Sequence, residues 1–399
     1  MNFITAKQAA LLWGITPRRV QDMCRSGEIK GVVRHGREWL IPENAKKPKR
    51  TADVQDDLAV EAPKVFGGII DFYKVPGTAA DILISLESDE FAYDIFSSQL
   101  CFYQGDFDTA ISLALKHADE NETNVSYRVS VGLQLMLGAI FVGDIKLWRR
   151  GYNYLENTVC AGEYEKNLLD FWLGVGSSAV SHRYTYPDWF KRGDFTKLPP
   201  NAFPAACYHY TKYLYTVGAD QGNDSIEIVH TMPRIIEPLT ARVCMDGALL
   251  FEIYLRLMCA LAYHIAGNDT VADPHLDRAI ALALPDKLYT PLAEYRRRFG
   301  FLMDERIMLK SESALPEIKS VSKSLIEGWT ALHNEVTGRS VSSKLSTREW
   351  QTARLASYGL SNKEIADRIG VTVNAVKQAL RMAMDKTGAE SRSEIGKYL

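Results

Sequence analysis

Between Leu345 and Ile395 the chain reads LSTREWQTARLASYGLSNKEIADRIGVTVNAVKQALRMAMDKTGAESRSEI. Ser346-Thr-Arg-Glu349 has the form of a capping box, in which a hydroxyl and a carboxylate three residues apart satisfy the free N–H groups of a helix start. The spacing predicts a helix through Ala353 and Leu355 that stops at Gly359. Ser361-Asn-Lys-Glu364 repeats the signal, with Ile365, Ala366 and Ile369 as the apolar stripe and Gly370 as the break. Thr372 caps a third helix in which Val373, Val376, Leu380 and Ala383 recur at helical spacing. Two short helices around a tight Gly-containing turn make a helix-turn-helix, whose second helix enters the major groove and reads base edges. On that reading Asn374, Lys377, Gln378 and Arg381 face the groove. Lys363, with the amides of Ser361 and Asn362, would meet phosphates.

This segment resembles the LuxR/FixJ-type DNA-binding domain. The resemblance rests on Leu345, Arg348, Glu349, Gly359, the run from Ser361 to Ala366, Val376-Lys377, Lys386, Gly388 and Arg392. It implies a four-helix DNA-binding head over residues 342–399. The sequence departs from the family pattern at Ala375, Ala379 and Met382, where the family has Thr, His and Asn. Those departures bear on DNA sequence preference more than on the fold.

The other end of the chain carries a second such pattern, ITAKQAALLWGITPRRVQDMCRSGEIKGVVRHGREWLIPENA. Thr5-x-x-Gln8 is a capping box, and Ala9, Ala10 and Leu12 are positions for packing on a partner helix. Gly14 ends the first helix, Thr16 caps the next, and Pro17 suits its first position. Val20, Met23 and Cys24 fall inward, whereas Arg18, Arg19, Gln21 and Asp22 fall on or near the exposed face. Two β-prone runs follow, joined by Arg34-His-Gly-Arg37, and the alternation around Trp39 and Ile41 packs this hairpin on the helices. A Gly-containing hairpin carrying Arg34, His35 and Arg37 fits a wing that touches phosphates or the minor groove. Residues 1–45 resemble an excisionase/MerR-type winged helix-turn-helix, on Thr5, Ala9-Ala10, Gly14-Ile15-Thr16, Arg19-Val20, Ser26-Gly27, Gly36, Trp39 and Ile41-Pro42. Thr16, Arg18, Arg19, Gln21, Arg34, His35 and Arg37 are the expected DNA-contacting residues there.

Charge divides along the same lines. The 399-residue chain has a formal net charge of −2. Residues 1–50 carry +7 and residues 344–399 carry +4, which leaves −13 for the middle. Two basic ends on an acidic body are the pattern of polyanion-binding heads on a body that repels nucleic acid. Residues 46–64 lack apolar periodicity and read as a charged linker.

Residues 65–335 are rich in helix formers and lack strand alternation. Gly105-Asp106 and Gly143-Asp144, with Gly267 further on, each punctuate two helical runs. This resembles a degenerate tetratricopeptide-like array, which at roughly 34 residues per helix pair would hold seven or eight pairs. Aromatics cluster from Tyr152 to Tyr215, among them Trp172, Tyr184, Tyr186, Trp189, Phe190, Tyr208, Tyr210 and Tyr213. Most belong in a core. The stretch from His182 to Pro204, with its prolines, reads as a long inter-helix loop beside a concave surface that could take a peptide or small-molecule effector.

Six scattered cysteines form no Cys-x-x-Cys pair and read as reduced thiols. The longest uncharged run, between Arg128 and Asp144, is too short for a membrane span and reads as a buried core helix. A cytoplasmic location without a membrane partner is expected. No Walker loop, Gly-x-Gly-x-x-Gly or metal-ligand spacing of histidines stands in the sequence. No catalytic residue, metal or cofactor is therefore expected, and the protein is read as a regulator rather than an enzyme.

The expected fold is mainly α, with a small β-hairpin in the N-terminal head. The expected function is sequence-specific binding of double-stranded DNA in transcription regulation. Self-association as a dimer is expected because both head types read repeated half-sites. Two alternatives from other classes are a DNA-architectural or excision factor, and an adaptor whose repeats bind a protein while one head touches DNA.

Overall fold

The computed structural model describes residues 3–13, 17–25, 29–36, 38–42, 45, 74–118, 123–181, 186–220 and 225–399. The chain forms two units, Met1–Glu61 and Ala62–Leu399. The expected linker over 46–64 lies outside the described residues.

In the first unit β1 (Phe3–Thr5) leads into α1 (Ala6–Trp13) and α2 (Pro17–Arg25), and then into the hairpin β2 (Val33–His35) and β3 (Glu38–Pro42). The Thr5–Gln8 capping box forms: the Thr5 N–H donates to Gln8 Oε1 at 2.8 Å and the Gln8 N–H to Thr5 Oγ1 at 3.3 Å. Ala9, Ala10, Val20, Met23, Cys24, Ile29 and Ile41 make a small buried core, with Trp39 packed against it. The sheet has three strands, not the two of a plain hairpin, in the antiparallel order β1-β3-β2. The extra strand arises because Phe3-Ile4-Thr5 is itself a β-prone run and pairs Ile4 with Ile41.

The second unit is helical. Its body runs α3 (Ala79–Leu86), α4 (Glu90–Gln104), α5 (Phe107–Ala118), α6 (Val125–Val142), α7 (Ile145–Glu156), α8 (Glu163–Ser178) and the short α9 (Asp188–Lys191). It continues with α10 (Phe203–Asp220), α11 (Ser225–Asp246), α12 (Leu249–Ala266), α13 (Asp269–Ala283), α14 (Tyr289–Phe299), α15 (Phe301–Lys310) and α16 (Ala314–Thr337). The expected turns are present. Gly105, Gly143 and Gly267 cap α4, α6 and α12 with φ of 91°, 72° and 86°, a left-handed conformation that favours glycine. Asp144 then caps α7, its carboxylate accepting the Lys146 and Leu147 N–H groups.

Two features depart from a simple repeat array, in which each unit touches only its neighbours. First, α16 returns to pack on α6. The approach is close enough that a Cβ on Gly328 would collide with the Ile140 carbonyl. Second, α14 lies beside α4, with Thr290 Oγ1 donating to the Phe102 carbonyl at 2.7 Å. The stretch from 186 to 202, read from sequence as an open loop, holds α9 and two 3-10 turns. Tyr186 and Phe190 there are buried, stacked at 4.5 Å, and Phe171 lies 5.2 Å from Phe190. Trp172, Tyr186, Phe190 and Tyr208 are thus core, not the lining of an open effector surface; Tyr184 lies outside the described residues. Among the described residues, two helices are apolar and long enough to cross a membrane, Val125–Val142 and Leu249–Ala266, and each is 78% buried within the protein.

The C-terminal segment adds α17 (Thr347–Ser357), α18 (Asn362–Ile369) and α19 (Val373–Thr387). Where a fourth α-helix was expected, the chain makes a 3-10 turn at Ile395–Tyr398 whose Ile395 is fully buried. Gly396 inside so short a span disfavours a longer helix. One continuous apolar core runs from the body into this segment.

Candidate nucleic-acid interface

Local chemistry positions the C-terminal helices. In the first box the Ser346 N–H donates to Glu349 at 2.7 Å and the Glu349 N–H donates to Ser346 Oγ at 3.3 Å. In the second, Ser361 and Glu364 exchange the same bonds at 2.6 and 3.3 Å. Thr372 Oγ1 accepts the Ala375 N–H at 3.2 Å. Gly370 closes α18 with φ 66°, which makes the tight turn into α19. Glu349 also pairs with Lys386 at 2.7 Å, which ties α17 to α19. Burial alone would push the Glu349 carboxyl up, but the Lys386 ammonium and the Ser346 donors outweigh it and hold it below the usual carboxylate range.

Helix α19 is two-faced. Val376, Ala379, Leu380 and Ala383 are buried against α17 and α18. Asn374, Lys377, Gln378 and Arg381 are all exposed, at offsets of zero, three, four and seven, so they share one face. Val373, expected on the packed side, is instead 37% exposed at the edge of that face, and Met382 is 40% exposed at its other edge.

The predicted phosphate contacts divide. Lys363 is exposed. The Ser361 N–H is taken by Glu364, and the Asn362 side chain accepts from Arg392, so what these two residues present at the helix start is the Asn362 amide. Arg392 also donates to the Leu360 carbonyl, which fixes the entry to α18.

In the N-terminal head, Gln21 is exposed on α2. Arg18 and Arg19 lie on the same helix and His35 lies in β2, but their side chains fall outside the described part, as do Thr16 and Arg37 altogether. Arg34 is exposed on β2, its guanidinium 5.6 Å from the centre of the Trp39 ring across the strand pair. Gly36 follows with φ 62°, and a side chain there would meet nothing within 4 Å. Gly36 itself therefore has open space beside it.

Sequence reasoning missed the joint between the C-terminal head and the body. The Gln351 side chain donates to the Arg298 carbonyl at 3.0 Å, and Arg297 donates to the Leu345 carbonyl at 3.0 Å. Arg297 also stacks over Trp350 at 4.9 Å, and Arg368 donates to the His264 carbonyl. The triplet Arg296-Arg297-Arg298 in an otherwise acidic body was the available signal. Among the described residues no three His, Cys, Asp or Glu side chains converge as metal ligands.

Residues 3–45 match the family described as "Helix-turn-helix domain", and residues 343–399 match "Bacterial regulatory proteins, luxR family". No curated protein and no solved structure matches the chain. The chain carries an excisionase-like helix-turn-helix at its N-terminus and a LuxR-family helix-turn-helix at its C-terminus, and is a DNA-binding transcription regulator.

Proposed function

We propose that both heads contact double-stranded DNA and that the helical body sets when they do so. The observation that carries this reading is the face of α19, where Asn374, Lys377, Gln378 and Arg381 stand exposed while the opposite face is packed. Asn and Gln suit adenine edges, Arg and Lys suit guanine, and exposed Lys and Arg also neutralise phosphates. Lys363 supports α18 on the backbone, and Arg34 with Gln21 serves the N-terminal head, alongside Arg18, Arg19, His35, Arg37 and Thr16. Self-association into a dimer is supported by the geometry of such heads, which read paired half-sites about one helical turn apart.

The body is proposed as the receiver of a peptide or small-molecule effector. The support is that α17 packs directly on α14, so a rearrangement in the body reaches the head. The domain limits that accompany this reading are 1–45, 46–64, 65–335 and 342–399. The test is selection of binding sites from a randomised duplex pool, followed by footprinting of the full chain on the selected sequence. Two separated protected segments support two heads on DNA; one segment assigns the other head to a protein partner.

A second reading, a DNA-architectural or excision factor, is favoured by the excisionase-like character of the N-terminal head. It is distinguished by DNA bending on the selected site without any change in transcription from it.

A further inference from the structure

Helix α15 is apolar on both sides. Met303 and Ile307 of this ten-residue helix are fully buried, and the helix packs on α13, α14 and α16. Its outward side should then be polar, as the outer faces of helical arrays are where they meet water. Instead Phe301, Met308 and Leu309 are 76%, 52% and 79% exposed. At offsets of zero, seven and eight they share one face. Among the described residues no other helix carries more than two exposed large apolar side chains. Such side chains scattered singly are ordinary, whereas a group on one face marks an interaction surface.

The backbone fixes the exposure of Phe301. Gly300 alone joins α14 to α15, with φ 61° and ψ −130°, a conformation open essentially to glycine. Phe299 before it is 2% exposed, and Phe301 after it is turned outward. Beside Phe301 a groove of about 480 Å³ opens between α15 and the C-terminal head, with Leu302 and Ile369 among its walls. The groove also carries five carboxylates and four arginines, so it is close to neutral. Nucleic acid or a strongly charged peptide meets no matching field there. A surface of the same mixed composition does, and a second copy of this chain supplies one.

We propose that the outward face of α15 is a self-association surface, on which a second copy of this chain packs its own α15 antiparallel. The apolar side chains stand at the two ends of the helix, so Phe301 of each copy covers Met308 and Leu309 of the other. Glu305, exposed in the middle of the same face, meets its own copy, a like-charge contact that costs about a factor of two in affinity. Apolar burial outweighs it, since each large side chain fully covered is worth about tenfold or more. Two ten-residue helices still make an interface smaller than the roughly 1,200 Å² of a stable complex, so the dimer is reversible. This names the surface for the self-association proposed above and rests on that reading. It uses none of the exposed residues assigned to DNA on α19.

The test is sedimentation velocity of the full chain without DNA, from about 1 to 100 μM. The wild-type chain is expected to pass from monomer to dimer. Phe301→Ser combined with Leu309→Ser is expected to raise the dissociation constant at least about tenfold. Both positions are more than three-quarters exposed, so the variant should melt like the wild type, which separates lost pairing from lost folding. Glu305→Cys gives a second readout: under oxidised glutathione it should form a disulfide-linked dimer that the parent chain does not form. A dimer that the double change leaves intact, or a Glu305→Cys chain that does not cross-link, overturns the α15 surface while self-association by another route stands. A wild-type chain that stays monomeric throughout overturns both and leaves the face to a different protein.

Discussion

The hydroxyl of Tyr215 in α10 lies 2.5 Å from the hydroxyl of Tyr358, which caps the first helix of the C-terminal head. The two rings meet edge to face at 6.5 Å and 87°, and both are buried. Helix-turn-helix heads are often pictured as beads on a tether. Here 143 residues of sequence separate the partners, and the head is built into the body's own core.

The pair gives a prediction about stability. Tyr358→Phe removes one partner and leaves the Tyr215 hydroxyl and the Arg354 Nε–H without theirs, at a cost of about 1–3 kcal/mol. Adding Tyr215→Phe should cost less than the sum of the two single changes, because both polar groups are then gone. Chemical denaturation of the two single variants and the double variant checks this; strict additivity would contradict it.

Acid should weaken the C-terminal head through Glu349. Its folded pKa is depressed, chiefly by Lys386 and Ser346 acting against burial. Such a group stabilises fully above the ordinary carboxylate range and loses that contribution as pH falls through the depressed value. Glu349→Gln should therefore lower stability at neutral pH and flatten its decline in acid. Denaturation midpoints across an acid series measure both effects, and parallel curves for the two proteins would contradict the assignment.

On the exposed face of α19, Lys377→Ala and Gln378→Ala should behave differently. Loss of Lys377 should weaken binding on all sequences and reduce the salt slope by about one. Loss of Gln378 should cost about 1–3 kcal/mol on the selected site and relax its preference at one base pair. Anisotropy titrations on matched and mismatched duplexes separate the two.

At the wing, Arg34→Ala should change stability by less than about 1 kcal/mol, since an exposed cation over Trp39 contributes little. Its effect should appear in DNA affinity and in a shallower salt dependence. A large loss of stability with unchanged affinity would make Arg34 a structural residue only.

What the sequence made legible was local. The capping boxes at Thr5, Ser346 and Ser361 and the Gly-Asp turns at 105 and 143 are written within four residues, and each forms as read. The two-faced character of α19 follows from periodicity in the same way. Illegible were relations between distant segments. Phe3–Thr5 is too short to announce a strand until β3 offers Ile41 as a partner. Val373 fits the apolar spacing of α19, yet at its first turn it stays 37% exposed. The arginine-lined joint depends on α10, α12, α14 and α17 meeting, which no window of sequence contains. On the exposed face of α19 the residue types were legible and their exposure followed; the occupation of the Ser361 N–H by Glu364 was written in the same capping box that drew attention to it.

The most direct measurement compares DNA binding by three proteins across a salt series. They are the full chain, a chain lacking residues 1–45, and the full chain carrying Lys377→Ala with Arg381→Ala. Point changes suit the C-terminal head because its removal would strip the body of Tyr358 and its neighbours, whereas the N-terminal head is a unit of its own. Two-headed DNA binding predicts that both altered proteins bind more weakly and with a shallower salt dependence than the full chain. An affinity and slope unchanged in either one would contradict it for that head.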